Sequence, residues 1–559
     1  MLKQISIENF KAFADEQKIP IKPITLVFGA NSSGKSSIIH SLLYARESVR
    51  TGKLDFSHTE LSGDSVDLGG FKNSVYGHDW MNRNLSLSFK YNTSLPISGI
   101  ARRFGGSDDE TYRVDLLSHI QQKESKSSRT PKVINSSIDV NGENLIDFEL
   151  SGKGGDHRIS HMNLKHPLVE RSLASAQEAA ISTRAVQSFS RQDLSGILGD
   201  LLKNVKIKYK GIIPVSHSNE PTYDEAKKVY EHYSLENTIV WFLPEILRDN
   251  ILGVSRSLRG ILNKMIYLGP LRTYPSRHFA FSSFQQDANW VSGGGQAWDI
   301  LLKDKKLRDK VNKWLNDPER LDIPYQFEVR QLFPESDIES EILSLFDYQV
   351  DYDSNDMEDD DLGIPPDIMG EAPFVNLLIR YMKKHDLDYD YENFAVHIIN
   401  ALKSRKFSGL SELVLMDPRL NIPLSHRDVG VGISQVLPVL VEALFNRNKL
   451  LLIEEPDIHV HPGLQAKLGD LFIESALSNG NTLMLESHSE HLLLRLLRRL
   501  RERYTTSRDR ALTPDDIGIL FIEREKGKSV VRELEIDEKG NFIGDWPQNF
   551  FAERAQELF

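Results

Sequence analysis

Residues 29 to 36 read Gly-Ala-Asn-Ser-Ser-Gly-Lys-Ser, two glycines separated by four residues and followed at once by a lysine and a hydroxyl. The spacing G-x-x-x-x-G-K-[ST] suits one piece of chemistry, the holding of a nucleoside triphosphate with Mg²⁺. Gly29 and Gly34 allow backbone angles and close approach that other residues resist. The loop and the helix start after it turn several backbone N–H groups toward one concavity, which favours phosphate. Lys35 would reach the β- and γ-phosphates, and the Ser36 hydroxyl would hold Mg²⁺. The competing reading is a chance match in a Gly/Ser-rich loop. Context argues against it: Ile24-Thr25-Leu26-Val27-Phe28 is a short apolar run suited to a buried strand, and residues 37–48 read as a helix. Gly29, Asn31, Ser32, Ser33, Gly34, Lys35, Ser36 and Ser37 form the expected nucleotide-binding set.

A second cluster lies more than 400 residues downstream. Lys449-Leu450-Leu451-Leu452-Ile453-Glu454-Glu455-Pro456-Asp457 is an apolar run ending in acids, the pattern of a Walker B strand. A buried strand of this kind aims a carboxylate at the Mg²⁺ beside Ser36. Glu454 takes that role here, although Asp is commoner. Glu455 is the better general base, placed to orient an attacking water at the γ-phosphate. Taken alone, two acids at a strand end are also an ordinary surface feature. The next apolar strand ends Leu485-Glu486-Ser487-His488-Ser489. His488 reads either as a core histidine satisfied by hydrogen bonds or as a γ-phosphate contact near Glu455. Asp428-Val429-Gly430-Val431-Gly432-Ile433-Ser434-Gln435 opens a helix with two glycines and a serine, a second anion-friendly surface or a glycine turn with a serine cap.

These residues need a frame that brings them together. Residues 2–8, 19–21, 24–28 and 85–91 read as strands around the P-loop helix. Residues 450–453, 482–485 and 517–522 are apolar runs separated by helical segments at 433–446, 463–478 and 488–504. Such strand-helix alternation predicts a parallel sheet with helices packed on it. Residues 413–425 suggest a hairpin with a proline-assisted turn. Between the halves, residues 96–265 are less regular, with helical spacing over 174–204 and 223–266. Residues 266–410 mix short strands and helices around an acidic stretch, 347–361, which reads as a solvated loop or as an acidic partner-binding or metal-collecting one. The expected organisation is therefore 1–95, 96–265 (an insertion, mainly helical), 266–410 and 411–559. No sustained heptads appear, so a long coiled-coil arm is not expected.

Composition bounds the function. The 559 residues are 40% hydrophobic and 26% charged, an ordinary globular mix. No stretch approaches the roughly 18 uninterrupted apolar residues of a membrane span, and the N-terminus lacks a signal-peptide layout. A cytoplasmic protein without membrane contact is expected. The absence of cysteine excludes disulfides and cysteine-ligated zinc. A net charge of −12 offers no general basic field for nucleic acid. A local basic patch is still allowed, because charge is screened beyond about 8–10 Å. Residues 491–503 carry Arg495, Arg498, Arg499, Arg501 and Arg503 beside a leucine face. That helix reads as core packing with a solvated basic side or, alternatively, as a phosphate-backbone contact to DNA or RNA.

Taken in order, Ile7-Glu8-Asn9-Phe10-Lys11, the P-loop, the Gly430–Gln435 loop, Glu454-Glu455-Pro456-Asp457-Ile458-His459-Val460-His461-Pro462 and Glu486-Ser487-His488-Ser489 resemble the ATP-binding-cassette heads of SMC-like and RecF-like ATPases. They look most like prokaryotic ATPases of the OLD and Septu kind, many of which serve in anti-phage defence. Tyr267-Leu268-Gly269-Pro270-Leu271-Arg272 and the closing stretch 540–551 also look like parts of one such subgroup. The resemblance implies an α/β P-loop head with a mixed sheet and flanking helices, interrupted by a largely helical insertion, and ATP with Mg²⁺ as ligands. It implies a homodimer or higher homo-oligomer that closes on two ATP molecules. Gly432 or Ser434 of one copy would then contact the γ-phosphate held by the other. Lys11 matches a basic position near the nucleotide. OLD nucleases add a metal-dependent nuclease domain after the histidine motif, whereas only about seventy residues follow His488 here, so no nuclease is expected in this chain. His459 and His461 belong to a family loop better than to a zinc site. The function expected is an ATPase that regulates or assembles with a separate effector, a nuclease above all. The alternatives are a RecF-like DNA-maintenance ATPase and an ATP-binding scaffold with slow hydrolysis.

Overall fold

Parallel strands covered on both faces read as unbroken apolar runs, and such runs build the sheet beneath the P-loop. The computed structural model describes residues 1–94, 111–122, 130–151, 156–172, 198, 201–202, 205–217, 247, 251–273, 288–332, 410–424, 431–504 and 510–544. The chain opens with β1 (Leu2–Glu8), β2 (Gln17–Pro20) and β3 (Ile24–Gly29), then the helix α1 (Lys35–Thr51) and β4 (Leu85–Ser94). Six strands follow from the insertion: β5 (Thr111–Gln121), β6 (Lys132–Val140), β7 (Glu143–Leu150), β8 (His157–Met162), β9 (Lys206–Lys210) and β10 (Ile213–His217). They extend the N-terminal strands into one nine-stranded antiparallel sheet, ordered β10-β9-β8-β7-β6-β5-β4-β1-β2. Its strands alternate buried and open positions, as along β5, and so cover the core with one face.

The described part of the insertion thus differs from the expected helical one: residues 111–162 are mostly strand and hairpin turn. The Asn141-Gly142 pair explains part of this. Both residues take positive φ (55° and 89°), joining β6 to β7 by the tight turn that Asn-Gly favours. Of the stretches with helical spacing, the helix Gly253–Asn263 is described; most of 174–204 and 223–252 lies outside the described residues.

The second sheet holds the chemistry. After β11 (Met265–Leu268), and after β12 (Gln326–Leu332), β13 (Leu410–Asp417) and β14 (Ile422–Leu424), come β15 (Leu450–Glu454), β16 (Thr482–Glu486), β17 (Ile517–Glu525) and β18 (Lys528–Glu533). The sheet order is β11-β15-β16-β3-β17-β18, parallel except for the β17–β18 hairpin. All five residues of β15 and of β16 are buried. The helices Val431–Phe445, Pro462–Asn479 and Glu490–Arg501 alternate with these strands, close to the spans read from periodicity.

Two compact units result. One comprises residues 1–274, 285–324 and 426–559, and therefore contains both sheets just described. Residues 285–324, expected within a separate middle segment, belong to it. The other comprises 275–284 and 325–425, where β12, β13 and β14 form a three-stranded antiparallel sheet that includes the expected hairpin. The acidic stretch 347–361 lies outside the described residues. Among the described residues no helix is long and apolar enough to cross a membrane.

Candidate functional site

The P-loop leaves the end of β3 and runs straight into α1. Gly29 (φ 152°) and Gly34 (φ 106°) both adopt backbone angles that disfavour side chains. A Cβ on Gly29 would stand 2.5 Å from the Ile522 carbonyl oxygen, and one on Gly34 2.6 Å from the Ala12 Cβ. Gly34 caps α1 without a side-chain bond, and the first turn carries no acid. No side chain caps the first N–H groups of that turn, the arrangement that suits an anion. Lys35 Nζ donates to the carbonyls of Gly29 (3.2 Å) and Ala30 (3.1 Å), so its cation lies along the loop. Asn31 and Ser32 are exposed, while Ser33 and Ser37 are buried. Arg524 holds the Ser32 carbonyl at 2.8 Å and Ser529 holds that of Ser33 at 2.6 Å, which ties the loop to β17 and β18.

Sheet order decides which acid meets Ser36. β16 lies between the P-loop strand and β15, so its terminal Glu486 stands closer to the loop than Glu454. Ser36 Oγ donates to Glu486 Oε1 at 3.0 Å. Glu454 is the register partner of Glu486 on the next strand. The sequence reading gave Ser36 and Glu454 to the metal and assigned Glu486 nothing; the register supplies what periodicity could not. Burial and the facing Glu454 push the Glu486 carboxyl above the usual carboxylate range, and burial does the same to Glu454.

Mg²⁺ fits these residues. Hard oxygen donors from Ser36, Glu454 and Glu486 converge, and Glu486 Oε2 is buried with no hydrogen-bond partner. Among the described residues no group of three or more His, Cys, Asp or Glu side chains forms a self-contained metal site.

Glu454 is gripped from its other side. Tyr267 Oη donates to Glu454 Oε1 at 3.2 Å, and His40 Nε2 lies 3.6 Å from the same oxygen. Lys11 Nζ contacts His40 Nδ1 at 2.9 Å. An ammonium can only donate, so Nδ1 accepts and the ring proton sits on Nε2, facing Glu454. Burial and the Lys11 cation keep His40 neutral, lowering it to about 3. Burial also lowers Lys11, to about 8. Lys11 therefore reaches the acids through His40, one helical turn beyond Ser36. That spacing on α1 was the available signal for His40.

Glu455 and His488 lie at the same strand ends. Glu455 takes a left-handed backbone (φ 46°), with its N–H on the Glu486 carbonyl at 2.8 Å. His488 is exposed, and its pKa is lowered by partial burial and by Lys35, against the pull of Glu455 and Asp457. Ser487 Oγ donates to Asp457 at 2.9 Å, and Gln465 Nε2 holds the Asp457 and Val460 carbonyls, which locks the loop 455–461 to the strand end. His461 caps the helix Pro462–Asn479 and His459 sits in a left-handed turn, so both serve the loop's shape.

The signature-like segment is only partly described, because 425–430 lie outside the described residues. A Cβ on Gly432 would meet the His459 carbonyl at 2.6 Å, so this glycine permits a close approach within the chain. Ser434 is buried, 1% exposed. On the basic helix, Arg495 and Arg499 both bind Asp470, and Arg498 and Arg499 bind Glu502. Three of its four arginines are thereby paired within the chain.

Known families agree with this geometry. Residues 1–175 match a family described as an AAA ATPase domain. Residues 280–495 match one described as "AAA domain, putative AbiEii toxin, Type IV TA system". Residues 512–559, which include the tail singled out in the sequence, match a protein family of unknown function, DUF3696. No curated protein matches the chain. Solved structures similar to it include an SMC head bound to the C-winged helix domain of ScpA, at 11% identity and TM-score 0.35, over 96% of this chain and 98% of that one. Another is an SMC head with an extended coiled coil bound to the C-terminal domain of ScpA from Pyrococcus furiosus, at 14% identity and TM-score 0.33, over 100% and 98%. A third is the SMC head domain from Thermotoga maritima, at 8% identity and TM-score 0.32, over 96% and 99%. At such scores the weight rests on the chain's own topology and site. Sheet order, P-loop and acidic strand ends, with the two ATPase-domain matches, describe an α/β fold of the P-loop NTPase kind.

Proposed function

We propose that this chain binds ATP with Mg²⁺, hydrolyses it, and couples the nucleotide state to assembly with a second copy and with a separate effector. The observation that carries the reading is the gathering, at the C-terminal ends of adjacent strands, of the Ser36–Glu486 hydrogen bond with Glu454, Glu455 and His488, from three segments of the chain. Lys35 and the α1 N-terminus bind the phosphates. Ser36, Glu454 and Glu486 hold Mg²⁺, which supplies charge neutralisation on the phosphate oxygens. Glu455 orients the attacking water and takes its proton on the carboxylate. His488 donates a hydrogen bond to the γ-phosphate oxygens. Lys11 acts on the same site through His40. In the dimer, the Gly430–Gln435 loop of the second copy faces the γ-phosphate. The burial of Ser434 favours backbone groups near Gly432 over its hydroxyl for that contact.

Glu455→Gln tests the core of this reading. It should bind ATP, lose turnover by at least about a hundredfold and accumulate ATP-bound dimers in light scattering. Unchanged turnover would reject Glu455 as the base. For the effector, support comes from the OLD/Septu resemblance and from the matched family whose description names a toxin of a type IV toxin–antitoxin system. A neighbouring nuclease should co-purify in a nucleotide-dependent way and phage plating should fall. Failure of both sinks the defence assignment while leaving the ATPase standing.

A further inference from the structure

We propose that Arg272 is a positioning residue of the hydrolytic step, a buried guanidinium that aims Glu455 by holding the two backbone carbonyls of the acidic turn. The inference rests on Glu455 being the base. Arg272 Nη2 donates to the Glu454 carbonyl at 2.8 Å and Nη1 to the Glu455 carbonyl at 3.0 Å. Glu455 needs such a hold. Its φ of 46° lies in a region that non-glycine residues populate sparsely, and such backbones persist only where surroundings fix them. The Glu455 N–H is tied to the Glu486 carbonyl, and its C=O also accepts from Ile458 at 3.2 Å. With Arg272 on successive carbonyls, the peptide planes on both sides of the Glu455 Cα are fixed, and with them the direction of its side chain.

The chemistry of the side chain matches the task. A guanidinium presents a rigid fork of donors that spans two acceptors, whereas an ammonium is a single point of charge. Arg272 is 4% exposed, and its Nε is buried with no partner. Both of its described hydrogen bonds therefore go to the catalytic turn. Burial lowers the guanidinium to about 10, and the negative charges of Asp457, Glu455 and Glu454 only partly oppose it. The segment has a second grip: Tyr267, five positions earlier, holds the Glu454 side chain. One stretch, Tyr267 to Arg272, thus fixes the metal-facing acid by its carboxylate and the base by its backbone. Neither contact is visible in the sequence, which marks Tyr267 to Arg272 only by its resemblance to one ATPase subgroup.

The test uses the full chain with Arg272→Lys, Arg272→Met and Arg272→Ala. Dissociation constants for a slowly hydrolysed ATP analogue with Mg²⁺ are measured beside kcat and KM. A misaimed base loses rate without losing binding. Arg272→Met should lower kcat by about a hundredfold and leave analogue affinity within about threefold. Arg272→Lys, which keeps the charge and bulk and is the safer variant for folding, should lower kcat by at least about tenfold, since one donor cannot span both carbonyls. Guanidinium chloride at low millimolar concentration should restore part of the Arg272→Ala rate where equal sodium chloride does not. Wild-type kcat in Arg272→Lys overturns the proposal. So does joint loss of binding and rate without guanidinium rescue, which marks a structural role. Glu455→Gln separates the two levels: turnover persisting there removes the base itself, whereas a dead Glu455→Gln beside a fully active Arg272→Lys removes only this inference.

Discussion

Glu442 lies in the helix Val431–Phe445, directly behind the signature-like loop, and is fully enclosed. Its described hydrogen-bond donor is Asn446 Nδ2, at 2.6 Å on Oε2. Burial pushes its carboxyl up to about 7 from 4.5, the Asn446 bond only partly opposing it. The sign follows from linkage. Between 4.5 and 7 the folded chain holds a proton that the unfolded chain has released, so stability falls as pH rises across this window. Above 7 the folded state carries a buried charge. A shift of 7 − 4.5 = 2.5 units corresponds to about 3 kcal/mol. Glu442→Gln keeps the acceptor for Asn446 and removes the charge. Its new amide N–H groups carry a desolvation term of about 1–3 kcal/mol, which does not vary with pH. The signature is therefore the slope and not the offset: relative to the parent, the variant should gain up to about 3 kcal/mol between pH 4.5 and 8. Urea unfolding followed by tryptophan fluorescence reads this, because Trp298 and Trp314 are buried in helices that pack on the same helix. A stability difference that stays constant from pH 4.5 to pH 8 would refute the reasoning.

Lys35→Ala should abolish triphosphate binding in a titration with Mg²⁺ and ATP while leaving the unfolding midpoint of the free protein close to the parent's, since Lys35 makes only two bonds to loop carbonyls; retained ATP affinity would move the phosphate site elsewhere. Asp470→Asn breaks a buried acid that binds Arg495 and Arg499, and should destabilise by about 3 kcal/mol at pH 7. The Asp470 pKa is lowered by those arginines, so its stabilisation is complete above the ordinary carboxylate range and fades as pH falls through the folded value; unfolding at pH 3 and pH 7 should show the cost shrinking in acid.

The parts of the site that follow local rules were legible. A P-loop is a run of eight residues whose glycines and lysine act on their own neighbourhood. The strand over 450–454 announces itself by apolar continuity and ends on its acids. What depends on register was not. Periodicity says that 482–486 is a strand, but only its place between β15 and β3 makes Glu486 the partner of Ser36. The same holds for Tyr267 and Arg272, whose partners lie more than 180 positions away. The strands of the insertion were hidden for another reason. Its helical spacing at 174–204 concealed the flanking strands, although Asn141-Gly142 between two alternating runs is a hairpin signal of the strongest short-range kind. The arginine helix is a third case: composition alone does not show that Arg495 and Arg499 meet Asp470, an acid on another helix, while Arg498, Arg501 and Arg503 stay exposed.

Glu454 departs from the aspartate common at its position, and the geometry accounts for it. Glu486 already occupies the place nearest Ser36, so the acid of β15 has to act across an intervening strand. A glutamate reaches one methylene further. The same length lets its Oε1 meet Tyr267 and His40 on the side away from the loop. Two carboxylates side by side in a buried sheet edge repel each other and are poorly solvated. Lys11, Arg272 and Lys35 supply positive charge around them, yet Glu486 Oε2 still has no hydrogen-bond partner. Strand ends built this way are under-compensated as protein alone, and a divalent cation beside Ser36, as proposed, would supply the missing charge.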